Sequence, residues 1–204
     1  MIAVFDSYGA GDEIPLRQYL KNRKLQKYFN RETAAAIVGV GKLLRDIELH
    51  PKIPFYYAAG VMEYEDYGFM ELIRRSTGAD GQFSQRRFVE EGMPGISPLS
   101  QFKVLQNMPA SFAAIEFGLT GDNAVIYTSA SGLLLLALHS NSRVSHGSVL
   151  LGAGKTYKDG KVDIGFALVK KEEIEDSSFL YGSADAVRML REWVSGASGA
   201  SGGM

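Results

Sequence analysis

The apolar positions of this chain change their spacing several times, and each change predicts an element. Ile2 to Phe5 is a short apolar run that reads as a strand, followed by the turn-rich Asp6-Ser7-Tyr8-Gly9-Ala10-Gly11. Pro15 to about Lys27 is polar and basic, with Leu16, Tyr19, Leu20 and Leu25 as sparse apolar positions. Arg31 to Glu48 carries Ala35, Val38, Leu43, Leu44 and Ile47 at helical spacing, with Asn30 placed to cap it and Pro51 and Pro54 bracketing its end. Phe55 to Ala59 reads as a brief strand closed by Gly60, and Tyr67 to Arg75 as an amphipathic helix with Phe69, Leu72 and Ile73 inward. Ser76 to Pro98 is rich in glycine and charge and predicts a loop containing one helical turn.

Further along, Pro109 to Phe117 predicts a helix stopped by Gly118, and Asp122 to Thr128 a strand. Gly132 to His139 is apolar all round, the pattern of a helix buried on every side. Two strands follow, one led by Val149-Leu150-Leu151 and one over Val162 to Val169, joined through Asp159-Gly160, a strong hairpin signal. Ala184 to Val194 closes with a helix carrying Trp193, and residues 195–204, SGASGASGGM, read as a flexible tail resembling a natural terminus. This order predicts one α/β domain over residues 1–194, with a mixed sheet because of the closing β-hairpin.

Composition narrows the chemistry. At 204 residues and 46% hydrophobic, the chain can bury a substantial core. A net charge of -1 predicts no general attraction to nucleic acid or membrane. The absence of cysteine excludes disulfides, thiolate zinc sites and thiol catalysis. The longest apolar run, Leu133 to Leu138, falls far short of the roughly 20 residues of a membrane span. Met1 to Phe5 is too short for a signal peptide before Asp6 intervenes. The chain therefore reads as soluble and cytoplasmic.

Several residue groups invite a chemical reading. Gly152-Ala153-Gly154-Lys155-Thr156 ends like a phosphate-binding loop, but Val149 stands where the first glycine is needed and a hairpin follows instead of a helix. Gly39-Val40-Gly41-Lys42 lies within a helical pattern and fails the same test. Asp80, Glu90, Glu91 and the histidines His50, His139 and His146 show no metal-ligand spacing, so neither a metal nor a cofactor is expected. Ser129 and Ser131 read either as helix caps or as nucleophiles, though neither has the glycine two residues upstream of a hydrolase elbow. Arg17, Lys21, Arg23, Lys24, Lys27 and Arg31 form a basic run, readable as a solvated face or as a docking surface for an acidic partner.

Residues Gly95 to Gly132 read GISPLSQFKVLQNMPASFAAIEFGLTGDNAVIYTSASG. Within them Ile96-Ser97-Pro98, Asn107-Met108, Phe117-Gly118-Leu119, Gly121, Thr128 and Gly132 fall, without a gap, in the order of the nucleophile-bearing segment of a β-ketoacyl synthase. The chain resembles the N-terminal half of that family over roughly residues 27 to 170. The resemblance implies a thiolase-like half, a five-stranded sheet between helix layers. It also implies that Ala130 occupies the position of the acyl-accepting cysteine, and the family's two catalytic histidines belong to a C-terminal half that this sequence does not contain. It looks most like the small, half-length class of ketosynthase-like proteins found beside aryl-polyene and related fatty-acid-like synthases, akin to the cysteine-less chain length factor that pairs with an active ketosynthase in type II polyketide and polyene systems.

The resemblance then implies a partner and a surface. Asp122, Asn123, Ala124, Val125, Ile126, Tyr127 and Thr128 would pair with the counterpart strand of a cysteine-bearing ketosynthase. Leu99, Ser100 and Met108 would contribute to the acyl pocket, and an acyl carrier protein is a further expected partner. Two alternatives stand beside this reading: acyl hydrolysis or transfer by Ser129 or Ser131, and a homodimer through the same strand.

Overall fold

The computed structural model describes residues 1–60, 69–95, 99–141 and 147–199. Its elements run β1 (Ile2–Tyr8), α1 (Arg31–Leu43), β2 (Phe55–Ala59), α2 (Phe69–Ser76), α3 (Gln85–Arg87), α4 (Ser100–Val104), α5 (Met108–Phe117), β3 (Asn123–Ile126), α6 (Ala130–Asn141), β4 (Ser148–Thr156), β5 (Val162–Lys170), α7 (Lys171–Glu175) and α8 (Ala186–Gly199). The strands form one open mixed sheet of five, in the order β1-β5-β4-β2-β3. β2 lies parallel to both β3 and β4, while β5 is antiparallel to β4 and to β1. The expected α/β class, mixed sheet and closing hairpin are all present.

Strand side chains alternate between two helix layers. Phe55, Tyr57, Leu150, Ile164 and Phe166 face a cluster with Ala36, Ile37 and Val40 of α1 and Phe112 and Ala113 of α5. Tyr56, Ala58, Val149, Leu151 and Ala167 face the other way, onto Leu133 and Leu134 of α6, Ile174 of α7 and Met189 and Leu190 of α8. Both faces of β2 are covered, and this is why Phe55–Ala59 reads as a continuous apolar run with no polar alternation.

Local chemistry explains most boundaries. The Asn30 side chain accepts from the Thr33 N–H at 2.8 Å, capping α1 as expected. α1 stops at Leu43, short of the predicted Glu48, because the chain turns there to lead through Pro51 and Pro54 into β2. Gly118 ends α5 in the left-handed region at φ 67°, and Gly160 supplies the hairpin turn at φ 78°. β1 outruns its apolar start and continues through Asp6 and Ser7 to Tyr8, since each residue to Tyr8 finds a partner on β5.

Other expectations are corrected. Ile73 of α2 is exposed, not inward, and Tyr67 and Gly68 lie outside the described residues, as does the Phe69 side chain. The expected loop after Ser76 holds α3, which runs on through a wider helical turn, Phe88–Gly92, into a 3-10 turn, Met93–Gly95. α6 is not buried all round, because Leu135 turns out to solvent. α8 continues to Gly199, so the first residues of the predicted flexible tail are helical, while residues 200–204 lie outside the described residues. Among the described residues no helix is long and apolar enough to cross a membrane.

Asp163 fixes α8 against the sheet. Its side chain is fully enclosed and accepts hydrogen bonds from Ser7 of β1 at 2.6 Å, Tyr157 at 2.9 Å and Arg191 of α8 at 2.5 Å. Burial pushes the carboxyl up, but the hydrogen bonds from Ser7, Tyr157 and Lys161 outweigh it and hold the group below its usual range. A depressed folded value stabilises the fold above the unfolded pKa of about 3.9, and that contribution is lost as pH falls through the folded value. Asp163→Asn is therefore expected to cost about 2 kcal/mol at pH 7. The difference in Tm from the parent protein should shrink steadily below about pH 4, as followed by circular dichroism.

Candidate functional site

Two crossovers meet at β2. The connection from β2 to β3 carries α5 on one face of the sheet, and that from β3 to β4 carries α6 on the other. Where consecutive crossovers leave on opposite faces, a crevice opens beyond the carboxyl ends of the strands, the usual binding position in open α/β sheets. Here that crevice is a cleft of about 290 Å³. Its walls come from Ala58, Ala59 and Gly60 after β2, Tyr127 and Thr128 after β3, Lys155 of β4, and Asp185, Ala186 and Val187 at the start of α8.

The cleft is largely apolar, with few polar groups. Lys155 lies over the Tyr157 ring at 4.7 Å and makes no ion pair among the described residues. Asp185 is partly engaged, since its carboxylate accepts the Arg188 N–H at 2.7 Å and so caps α8. An arrangement of this size and polarity suits a small, mainly apolar ligand with one polar end.

Beside the cleft sits the segment singled out in the sequence. Ser129 is the cap of α6: its hydroxyl accepts the Gly132 N–H at 3.3 Å, and its carbonyl accepts the Leu133 N–H at 3.1 Å. Ser129 and Ser131 hydroxyls lie 2.9 Å apart and are hydrogen bonded to each other. Among the described residues neither is hydrogen bonded to a histidine or carboxylate that would serve as its base. Ala130 is 0% exposed and packs within the α6–α8 layer. Its N–H donates to the Ala184 carbonyl at 2.8 Å, and a bridge between Ser129 and Asp185 runs beside it, so the approach to α8 is stitched across the start of α6.

The remaining expected residues scatter. Met108 packs on the α1–α5 layer, so the sheet separates it from Ala130. Leu99 is half-buried in the turn into α4, and α4 packs near Tyr28 on the same side as Met108. Ile96, Ser97 and Pro98 lie outside the described residues, as does the Ser100 side chain. The structure does not bring Leu99 and Met108 together with Ala130. His139 is exposed on α6, the His50 Nδ1 accepts the Lys52 N–H at 3.2 Å, and His146 lies outside the described residues. No cluster suited to a metal ion is present among the described residues.

Gly152 to Thr156 lies within β4, and Gly39 to Lys42 within α1, so neither forms a phosphate loop. A Cβ at Gly41 would fall 2.4 Å from the Tyr19 ring, so this glycine serves close packing. No sequence motif joins Lys155, Asp185 and Gly60 into one site. Lys155 is the lone charge in an otherwise apolar and small-residue strand, the one signal that marked it.

Asp122 to Thr128 spans β3 and its ends, and β3 is an edge strand of the sheet. Tyr127 is 65% exposed, and Ile115 of α5 and Leu135 of α6 are exposed by 64% and 55%. No family model matches the chain, and no curated protein matches it either.

Proposed function

We propose that this chain is a non-catalytic, ketosynthase-like subunit that pairs with an active β-ketoacyl synthase and helps shape its acyl pocket, in polyene, polyketide or fatty-acid-type biosynthesis. The observation that carries this reading is Ala130: it is fully buried at the start of α6, where the resemblance puts the acyl-accepting thiol, and its methyl group cannot form a thioester. The five-stranded sheet between two helix layers is consistent with the fold that the resemblance implies.

The pairing surface is the β3 edge. An edge strand offers unpaired backbone groups to a second strand, and its neighbours decide whether that surface is apolar enough to associate. Tyr127 at the end of β3, Ile115 of α5 and Leu135 of α6 are exposed apolar side chains, one from the sheet and one from each helix layer. A homodimer through this edge is the second reading, supported by the same residues, since a two-fold axis lets one surface pair with itself. An acyl carrier protein would be a third component of the working assembly.

Ile115→Glu combined with Leu135→Glu is expected to weaken association at least about 30-fold while leaving circular dichroism unchanged, because two apolar anchors become charges in a buried contact. Association is measured by light scattering on size-exclusion fractions. Unchanged association of the double variant would contradict the assignment of this edge. A serine-reactive fluorophosphonate separates the remaining alternative: no labelling of Ser129 or Ser131 is expected, and labelling of either would overturn the non-catalytic reading.

A further inference from the structure

We infer that the segment Arg17–Tyr28 is a docking surface for an acidic helix of a partner protein. The inference does not rest on pairing through the β3 edge. Residues 14–31 contain six basic residues and no acidic one, while the rest of the chain sets 16 basic residues against 23 acidic ones. Positive charge is thus concentrated in one short stretch of a chain whose net charge is -1.

Several helical cations elsewhere are neutralised by a carboxylate on the same helix. Arg74 and Arg75 pair with Glu71, Arg86 with Glu90, Arg87 with Glu91, Lys171 with Glu175 and Arg188 with Glu192. Arg17, Lys21, Arg23, Lys24 and Lys27 are all exposed, and among the described residues none has a carboxylate within 4.0 Å. Arg31 differs: its guanidinium is bound to the Gly9 and Asp12 carbonyls, so it belongs to the scaffold. Asp12 and Glu13 border the segment in the groove that Gln26 lines, and neither pairs with these cations among the described residues. Glu116 is buried and accepts the Lys21 N–H, and Glu48 lines the shallow groove beside Lys21.

Geometry selects the occupant. Arg23–Tyr28 is a 3-10 helix, capped by Asn22 and followed by buried Phe29. In a 3-10 helix residues three apart eclipse and rise about 6 Å, so Lys24 and Lys27 stand in one row, with Lys21 outside the helix before Asn22. That interval is close to the roughly 5.4 Å pitch of an α-helix, so carboxylates one turn apart on a partner helix would meet successive lysines. An apolar strip borders the row: Lys27 lies 5.0 Å over the Tyr28 ring, Tyr28 meets Phe102 edge to face at 5.2 Å, and Phe102 and Leu105 are exposed. A helix with a carboxylate row beside apolar residues satisfies both features. An extended polyanion, such as a nucleic acid or an anionic bilayer, would continue onto the acidic remainder of the surface and be repelled there.

The probe is a fluorescent amphipathic peptide of about 18 residues, with glutamates one turn apart beside a leucine and phenylalanine stripe, titrated by anisotropy. A peptide of the same composition with its glutamates spread around the helix serves as control, together with phosphatidylserine vesicles and a short single-stranded DNA. The patterned peptide is expected to bind at least about tenfold more tightly than the control peptide, and binding should weaken by about tenfold between about 50 and 200 mM NaCl. Lys24→Glu with Lys27→Glu is expected to weaken binding by about tenfold or more, with unchanged circular dichroism, since both side chains are exposed. Equal binding of the two peptides, no effect of the double variant, or tighter binding to vesicles or DNA would each overturn the inference.

Discussion

Gly154→Ala is expected to lower stability by about 4 kcal/mol, an estimate that combines overpacking with damage to hydrogen bonds on a buried charge. Gly154 lies in β4, where a Cβ would fall 2.1 Å from the Tyr57 hydroxyl, 2.6 Å from Ile164 Cδ1 and 2.8 Å from a Glu32 oxygen. These atoms have little room to retreat, because Tyr57 and Ile164 are fully buried. Tyr57 donates to one Glu32 oxygen at 2.8 Å and Thr156 to the other at 2.9 Å. Burial, and then the Glu32 charge, push the Tyr57 hydroxyl well above its usual pKa, so it remains a donor throughout the accessible pH range.

The network joins the first turn of α1 to β2 and β4, and so holds the α1 layer on the sheet. For a chain of this length, about 4 kcal/mol corresponds to a fall in Tm of about 10 °C. Gly11→Ala is the control, since nothing lies within 4 Å of a Cβ there. It should remain within about 0.5 kcal/mol of the parent. Equal melting temperatures for the two variants would show that the buried network yields.

The second large effect concerns Ala130. Ala130→Cys would introduce the only thiol in a chain with no cysteine, at the start of α6. A thiol at a helix N-terminus has a lowered pKa and reacts fast once exposed, so slow reaction there reports enclosure. With Ala130 at 0% exposure, the native variant is expected to react with N-ethylmaleimide about a thousandfold more slowly than the unfolded chain, because labelling requires local opening. Tyr127→Cys, at a 65% exposed position a few residues away, should label at once. Equal rates for the two would mean that position 130 opens to small molecules. The expected protection implies that a thiol at position 130 would be closed to an incoming acyl group in the folded chain.

Much of the scaffold was legible because its signals are local. Asn30 marks its helix start through one side-chain bond, Gly118 and Gly160 mark turns that need positive φ, and Phe55–Ala59 is apolar because both its faces are covered. Other features depend on distant partners. β1 outlasts its apolar start because β5 pairs with it, and Leu135 looks core-like in sequence although α6 turns it outward.

The candidate site divides along the same line. The capping role read for Ser129 is what the structure displays. The cleft could not be read, because Gly60, Thr128, Lys155 and Asp185 meet only when three strand ends and the start of α8 converge. Met108 and Ala130 stand on opposite faces of the sheet, a separation set by the crossovers of α5 and α6 and invisible in a contiguous motif.

The most direct measurement is affinity purification of the protein from its host, with mass spectrometry of what accompanies it and light scattering on the eluted complex. A one-to-one complex with a cysteine-bearing ketosynthase is expected, and it should be lost on Ile115→Glu with Leu135→Glu. Recovery of the protein as a monomer or a homodimer, with no ketosynthase at any loading, would contradict it.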